Sequence, residues 1–310
     1  MSMNTEAAAP GSAPLQDAAL YAAVVLMWGT TWYAISFQVT TVSPIVSLAY
    51  RFAIAAPVMF AVAAWRGHGL GFALREHVTF ALLGLTLFCL NFIGIYYAAQ
   101  SITSGLLAVI FSSAAILNTI NAALWLKTPV LPRHVLGGLL GVVGIGLIFK
   151  PEFAAFEQGG AVLWGLGLAL AGTWCFSMAN IVSAHAQRRR VPVLPATAWG
   201  MFYGFVMLSL FAWVSGQSFS FDSSPAYIGS LVYLALIGSV AAASAYLLLL
   251  GRIGPAPAAY ATVLFPVVAL MISTLFENYQ WSWWAAAGLV LVAAGNVIIS
   301  NARANLSARS

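Results

Sequence analysis

Long apolar runs, separated by short links that hold the turn-forming and charged residues, cover almost the whole chain. A helix needs about 20 predominantly apolar residues to cross a bilayer. The pattern therefore predicts ten transmembrane helices, over residues 18–39, 44–65, 77–98, 103–126, 133–150, 161–184, 195–215, 225–250, 256–276 and 282–302. A disordered N-terminal tail is predicted over 1–17 and a C-terminal tail over 303–310.

The composition supports a membrane protein, because 62% of the residues are hydrophobic and only 6% are charged. Soluble domains carry about 25% charged residues and keep a polar exterior. The sequence contains no Walker loop, HExxH or GxSxG motif, and such motifs mark nucleotide-driven or hydrolytic proteins. We therefore predict no enzyme, no cofactor and no metal site.

The basic residues indicate how the helices are oriented, since positive charges concentrate in cytoplasmic loops. With the N-terminus inside, Lys150 is the only basic residue in an outer loop, and Arg51 lies within a helix. The other ten basic residues fall inside: Arg66, Arg75, Lys127, Arg133, Arg188, Arg189, Arg190, Arg252, Arg303 and Arg309. Both termini are thus predicted to be cytoplasmic. The net charge of +5 reflects this topology and the contact with membrane lipids, and no nucleic-acid partner is expected.

Internal similarity divides the chain into two five-helix halves, 18–150 and 161–302. Helices 4–5 and 9–10 share a small-residue helix, a short link and two glycines seven residues apart. Trp28 is matched by Trp174, and Pro44 by Pro195. Because five is odd, the second half enters the membrane from the opposite side. This inverted repeat is common in secondary transporters, whose sites lie between the halves near the midplane.

Several motifs resemble the EamA-type drug/metabolite transporter superfamily. They are "WG" in helix 1, "YRF" in helix 2, "LFPVVALMISTLFEN" in helix 9, and the glycine-rich helices 5 and 10. Within it, the chain is most similar to the bacterial YddG-type aromatic amino-acid exporters. The resemblance implies the drug/metabolite transporter fold and a multi-pass exporter of the bacterial inner membrane. The chain departs from the family pattern in helix 4, where Ser112-Ser113 replace a proline and Leu126-Lys127 replace an acid.

Two tryptophans lie far from the membrane interface, where this residue is usually found. Trp28 lies about ten residues into helix 1, roughly 15 Å deep, and Trp174 lies about ten residues from the end of helix 6. They either pack inside the bundle or line a cavity from both halves, where indoles would accept an aromatic side chain or an ammonium group. Trp32 lies one helical turn beyond Trp28, on the same face.

Polar residues at similar depth either join helices by hydrogen bonds or orient a zwitterionic substrate. The candidates for substrate contact are Thr31, Asn91, Asn118, Ser177, Ser244, Tyr246 and Tyr260.

Three further residues are candidates for gating or charge recognition. Arg51 is the only ionisable residue well inside a predicted helix, where charge is usually functional. It either anchors helix 2 or contacts a carboxylate or gate. Pro266 either forms a hinge or only packs, and Glu277 either ends helix 9 in water or acts in gating.

The resulting hypothesis is a secondary transporter that exports small amphiphilic metabolites by alternating access. Aromatic or hydrophobic amino acids are the leading candidates for its cargo. A multidrug or other metabolite exporter of the same fold is the alternative, and a membrane enzyme or structural subunit is a third. A monomer suffices for this mechanism, although the glycine-rich helices 5 and 10 leave a dimer open.

Overall fold

The computed structural model describes residues 12–127, 129–150, 160–253 and 261–307, and within these ranges it contains helices and no strand. The helices are α1 (Ser12–Ser36), α2 (Pro44–Trp65), α3 (Leu74–Ala98), α4 (Ser104–Leu126), α5 (Pro132–Ile148), α6 (Gly160–Arg188), α7 (Val193–Val214), α8 (225–253), α9 (Ala261–Phe276) and α10 (Trp283–Ser307).

In the described ranges, seven helices are long and apolar enough to cross a membrane. Three further apolar helices are shorter, at Pro132–Ile148, Leu264–Phe276 and Trp283–Ile298. The helices coincide with the predicted apolar runs, while ten full crossings stay a prediction. Helix also extends into both predicted tails, since α1 begins at Ser12 and α10 ends at Ser307. The reason is local: Pro14 suits the first turn of α1, and the end of α10 is rich in Ala, Asn and Arg.

Three helices depart from regular α geometry. α3 contains the π-helical segment Gly84–Leu90, and α8 contains the π-helical segment Leu234–Ala241. α4 is interrupted at Ser113, between Ser104–Ser112 and Ala114–Leu126. π segments and helix breaks often mark functional positions, because they re-aim the side chains around them.

The most extensive contacts join α5 to α10, α3 to α6 and α2 to α7. α5 and α10 meet backbone to backbone: a Cβ on Gly144 would lie 2.6 Å from the Gly288 carbonyl oxygen, and one on Gly295 would strike Gly137. Small residues allow such close approach in membranes. The remaining helices enclose the centre, where α1 contacts α8 and α9 while α6 contacts α3 and α4.

Candidate functional site

Six aromatic side chains from five helices meet at the centre of the bundle, and we call them the aromatic cluster. Its members are Trp28 and Trp32 of α1, Phe111 of α4, Phe176 of α6, Tyr246 of α8 and Phe265 of α9. The shortest ring-centre distances are 4.7 Å for Phe111–Phe176 and 4.9 Å for Trp28–Tyr246. The cluster joins residues of both predicted halves.

Trp32 is the most enclosed tryptophan of the cluster, at 8% exposed. Its ring stacks on Phe265 at 6.0 Å with an interplanar angle of 12°, and it tilts against Phe111 at 5.2 Å. Gly29 brings α9 close enough for this stacking, because a Cβ there would lie 2.6 Å from Val268 Cγ1. Offset aromatic packing of this kind creates a surface that suits a flat apolar group.

The structure does not bring Trp174 to this cluster. Trp174 is 42% exposed and shares the outward face of α6 with Trp164, which is 70% exposed. Phe176 takes the inner position instead, contacting Phe111. Two residues along a helix correspond to about 200° of rotation, so Trp174 and Phe176 point to nearly opposite sides.

Two side-chain hydrogen bonds connect α4 to α6 beside Phe176. Asn121 Nδ2 donates to Ser177 Oγ at 2.8 Å, and Asn180 Nδ2 donates to Asn118 Oδ1 at 3.0 Å. Asn118 and Ser177 were predicted to be site residues, whereas Asn121 was missed although it lies three residues after Asn118, on the same face. Asn121 is fully buried, and its Oδ1 has no hydrogen-bond partner among the described residues.

The other predicted polar residues are placed differently. Thr31 Oγ1 donates to the Trp28 carbonyl oxygen at 2.7 Å, and Asn91 Nδ2 donates to Leu87 at 3.2 Å, both within one helix. Asn91 Oδ1 and Ser244 Oγ are buried and lack a partner in the described part of the chain. Tyr260 lies outside the described residues.

Arg51 is buried in the centre of the bundle, at 3% exposed. Its Nε donates to Ser239 Oγ at 3.0 Å, and its Nη1 donates to the Tyr96 hydroxyl at 3.1 Å. The guanidinium carbon lies 4.5 Å from the Phe92 ring centre and 5.5 Å from that of Phe52. The side chain is therefore held by neutral groups and aromatic faces inside the bundle.

Arg51 lies next to the aromatic cluster. A Cβ on Gly238 would be 2.6 Å from Thr31 Cγ2 and 3.7 Å from Arg51 Nη2. Gly238 thus separates the guanidinium from Thr31, which directly precedes Trp32. Because Thr31 lies on the helix that carries Trp28 and Trp32, we treat the cluster and the buried cation as one candidate site.

Glu277 and Pro266 lie on α9. Glu277 Oε2 accepts hydrogen bonds from the Ser104 backbone N–H at 3.0 Å and from Ser104 Oγ at 2.7 Å, so it caps the start of α4. A cavity of about 440 Å³ adjoins it, lined by Thr103 and Trp281 among others. Pro266 lies inside α9 and directly follows Phe265 of the cluster.

No group of three or more His, Cys, Asp and Glu side chains that could hold a metal occurs within the described ranges. The candidate site offers apolar burial, one cation and several amide and hydroxyl groups. These groups suit binding of an amphiphilic molecule.

The model of the EamA-like transporter family matches residues 18–150 and 163–301. The chain belongs to the EamA-like transporter family.

Several similar proteins carry transporter names. The chain is 28% identical over 276 residues to "Uncharacterized inner membrane transporter YedA" of Escherichia coli (strain K12), which covers 87% of each chain. It is 24% identical to "Uncharacterized transporter YoaV" of Bacillus subtilis (strain 168), covering 88% of this chain and 92% of the relative. A solved crystal structure at 18% identity superposes with a TM-score of 0.67, covering 94% of this chain and 99% of the other, which shows likeness of fold.

The EamA-like match and the names of these relatives support a membrane transporter, and they point to transporters rather than to enzymes. The membrane-length apolar helices agree with a multi-pass protein. The superfamily resemblance predicted from the sequence is confirmed.

Proposed function

We propose that this transporter exports small amphiphilic metabolites across the bacterial inner membrane. Aromatic and other hydrophobic amino acids are the leading candidates for the cargo. The aromatic cluster carries the proposal, because it places six rings from five helices where both predicted halves meet. As a cargo molecule enters the aromatic cluster, its aromatic or aliphatic side chain would take the place of one ring and make similar apolar contacts with the remaining rings. The buried Asn and Ser groups beside the rings supply hydrogen bonds for its polar part.

Alternating access by two inverted five-helix halves is part of the proposal. Exchanging the halves pairs α1 with α6, α2 with α7, α3 with α8, α4 with α9 and α5 with α10. Under this exchange the contact α1–α9 corresponds to α6–α4, and α3–α6 corresponds to α8–α1, while α2–α7 and α5–α10 map onto themselves. The π segments in α3 and α8 correspond as well. These correspondences support two halves that rock about a shared central site.

Facilitated movement down a gradient fits the charges best. All seven acidic residues of the sequence lie outside the central parts of the predicted helices. A proton relay normally needs an ionisable group of this kind within the membrane. Proton coupling is the alternative, and transport with and without an imposed pH gradient distinguishes the two.

A multidrug exporter is the second candidate, because the aromatic cluster would also attract cations by cation–π contacts. Reconstitution into liposomes with labelled phenylalanine, leucine and a cationic dye compares the two cargo classes directly. We expect Trp28→Ala to reduce amino-acid transport at least about tenfold, since it removes a large aromatic contact.

Trp174→Ala is the matched control, because Trp174 lies on α6, the proposed counterpart of α1, and its side chain is 42% exposed. Its transport should stay within about twofold of the wild type. Transport that is unchanged by Trp28→Ala would remove the cluster from the mechanism. Selective transport of the dye would favour the multidrug reading.

A further inference from the structure

Arg51 is a buried cation that forms no ion pair with the described residues. In the part of the chain that the structure describes, the ion pairs are Arg189–Glu76 and Arg252–Asp17, and neither involves Arg51. Burying an unpaired charge is costly, and in membranes such residues are usually retained for function. The neighbours of Arg51 are hydroxyl groups and phenyl rings, which hold the guanidinium without neutralising it.

The hydrogen bonds of Arg51 leave part of the guanidinium unused. Arginine has five N–H donors, and Arg51 Nε and Nη1 each make one hydrogen bond. For Nη2, no acceptor within hydrogen-bond distance occurs among the described residues. Nη2 is also the guanidinium nitrogen that a Cβ on Gly238 would meet, at 3.7 Å, and Thr31 of α1 borders the same glycine.

The two hydroxyl partners fix the orientation of Arg51. Ser239 Oγ donates to the Leu234 carbonyl oxygen at 2.9 Å, so its lone pairs face Arg51 Nε. Ser239 belongs to the π segment of α8, and Tyr96 follows the π segment of α3. An oriented guanidinium suits a carboxylate, which it binds through parallel N–H donors.

We infer that Arg51 binds the carboxylate of the cargo, and that the transporter selects carboxylate-bearing amphiphiles against cationic ones. The inference rests on the proposed function, because it states which charged group the cargo must carry to bind at the proposed central site. The cargo's apolar side chain would pack on the Trp28 and Trp32 rings while its carboxylate faces Nη2. A cationic drug would meet an uncompensated positive charge at the same place.

The test uses two probes that each keep one charge of phenylalanine. 3-Phenylpropionate has the phenyl ring and the carboxylate, and phenethylamine has the phenyl ring and the ammonium. Each competes with labelled phenylalanine in proteoliposomes, and each is also measured for thermal stabilisation of the purified full-length protein. We expect 3-phenylpropionate to act at a concentration about tenfold lower than phenethylamine, as a charge-assisted hydrogen bond implies.

Variants at Arg51 identify the residue responsible. Arg51→Gln should abolish the preference for 3-phenylpropionate, and Arg51→Lys should retain part of it because the charge remains without the planar donors. Tyr96→Phe removes one holding group and should weaken the preference while leaving the charge in place. Arg66→Gln is the control on the same helix, since Arg66 is exposed at the end of α2.

The outcomes separate this inference from the proposed function. If no amino acid is transported but 3-phenylpropionate still stabilises the wild type and not Arg51→Gln, the proposed cargo is wrong and the carboxylate assignment holds. If phenylalanine is transported and both probes act equally, or Tyr96→Phe and Arg51→Lys keep the full preference, the carboxylate assignment is overturned. A preference for phenethylamine in the wild type also overturns it.

Discussion

The two ends of the bundle join the halves by different contacts. At the predicted outer end the contacts are buried: Gln38 Nε2 donates to Ser230 Oγ at 2.7 Å, and Ser47 Oγ lies 2.8 Å from the Tyr227 hydroxyl. At the predicted inner end the Arg189–Glu76 ion pair, at 3.0 Å, has side chains about one-fifth exposed, at 21% and 20%. The Arg252–Asp17 pair is more exposed still.

α4 shows the same difference along its own length. Nearly all of the segment Ser104–Ser112 is buried, whereas Ile120, Leu124 and Trp125 in the following segment are 42%, 65% and 63% exposed. Exposed ion pairs contribute little to stability, while buried hydrogen bonds are costly to break. The buried hydrogen bonds at the predicted outer end are therefore costlier to break than the two ion pairs at the inner end, where Trp199 Nε1 also donates to the Leu70 carbonyl oxygen at 3.1 Å. In an alternating-access cycle, opening the outer end would break these buried hydrogen bonds.

The largest effect is expected at Gln38, which is fully buried and also donates to the Tyr227 carbonyl oxygen at 2.9 Å. Gln38→Leu removes both hydrogen bonds and should lower the free energy of unfolding by about 2 to 3 kcal/mol. Thermal unfolding in detergent measures it. Gln100→Leu is the control, since Gln100 makes one long hydrogen bond of 3.4 Å to Val39. Equal losses in the two variants would contradict a firm outer end.

A smaller effect is expected at Glu277, whose carboxylate caps α4 through Ser104. Glu277→Ala leaves the backbone N–H of Ser104 without this acceptor and should cost about 1 to 2 kcal/mol. Glu76→Ala at the other end should cost less than about 1 kcal/mol, because its ion pair with Arg189 is partly exposed to solvent. The two variants are compared by thermal unfolding. A larger loss for Glu76→Ala would reverse the comparison of the two ends.

The smallest effect concerns pH. The Ser224 backbone N–H and the Thr41 hydroxyl donate to Asp222 and hold its pKa below the ordinary value of 3.8. A lowered folded pKa stabilises the protein above the unfolded pKa, and this contribution is lost as pH falls through the folded value. The melting temperatures of wild type and Asp222→Asn should therefore converge only below about pH 4. If the difference in melting temperature between wild type and Asp222→Asn changed between pH 6 and 8, a lowered pKa of Asp222 would not explain it.

The sequence was sufficient to locate the helices, because apolar runs of membrane length leave few other interpretations. Depth and spacing along a helix also singled out Trp28, Trp32 and Tyr246, which the structure brings into the aromatic cluster, while their contact with substrate stays a prediction. The sequence was not sufficient to choose between Trp174 and Phe176. In a membrane protein the lipid-facing and inward-facing sides are both apolar, so hydrophobicity alone does not distinguish them.

Other features lacked a local signal or were overlooked. Neither π segment is indicated by its sequence, since π geometry depends on packing against neighbouring helices. Phe111 and Phe265 join the cluster through tertiary contacts between α4 and α9 that no spacing within one helix reveals. Asn121 was within reach, because its three-residue spacing from Asn118 was visible in the sequence.

The interruption of α4 differs in chemistry from the proline of α9. Ser113 N–H donates to the Ile110 carbonyl oxygen at 3.0 Å, while the Val109 carbonyl oxygen accepts from Ser112 Oγ at 2.6 Å. In a regular α-helix the Ser113 N–H would bond to Val109 itself. The Ser112 hydroxyl and the Ser113 N–H thus compete for the Val109 carbonyl oxygen. If the Ser113 N–H replaced the hydroxyl as donor, α4 would become regular and the carbonyl oxygen would still have a partner. Pro266 has no backbone N–H, so α9 cannot form the missing hydrogen bond at this position. Of the two irregular helices, only α4 can switch between the interrupted and the regular form by changing one hydrogen bond.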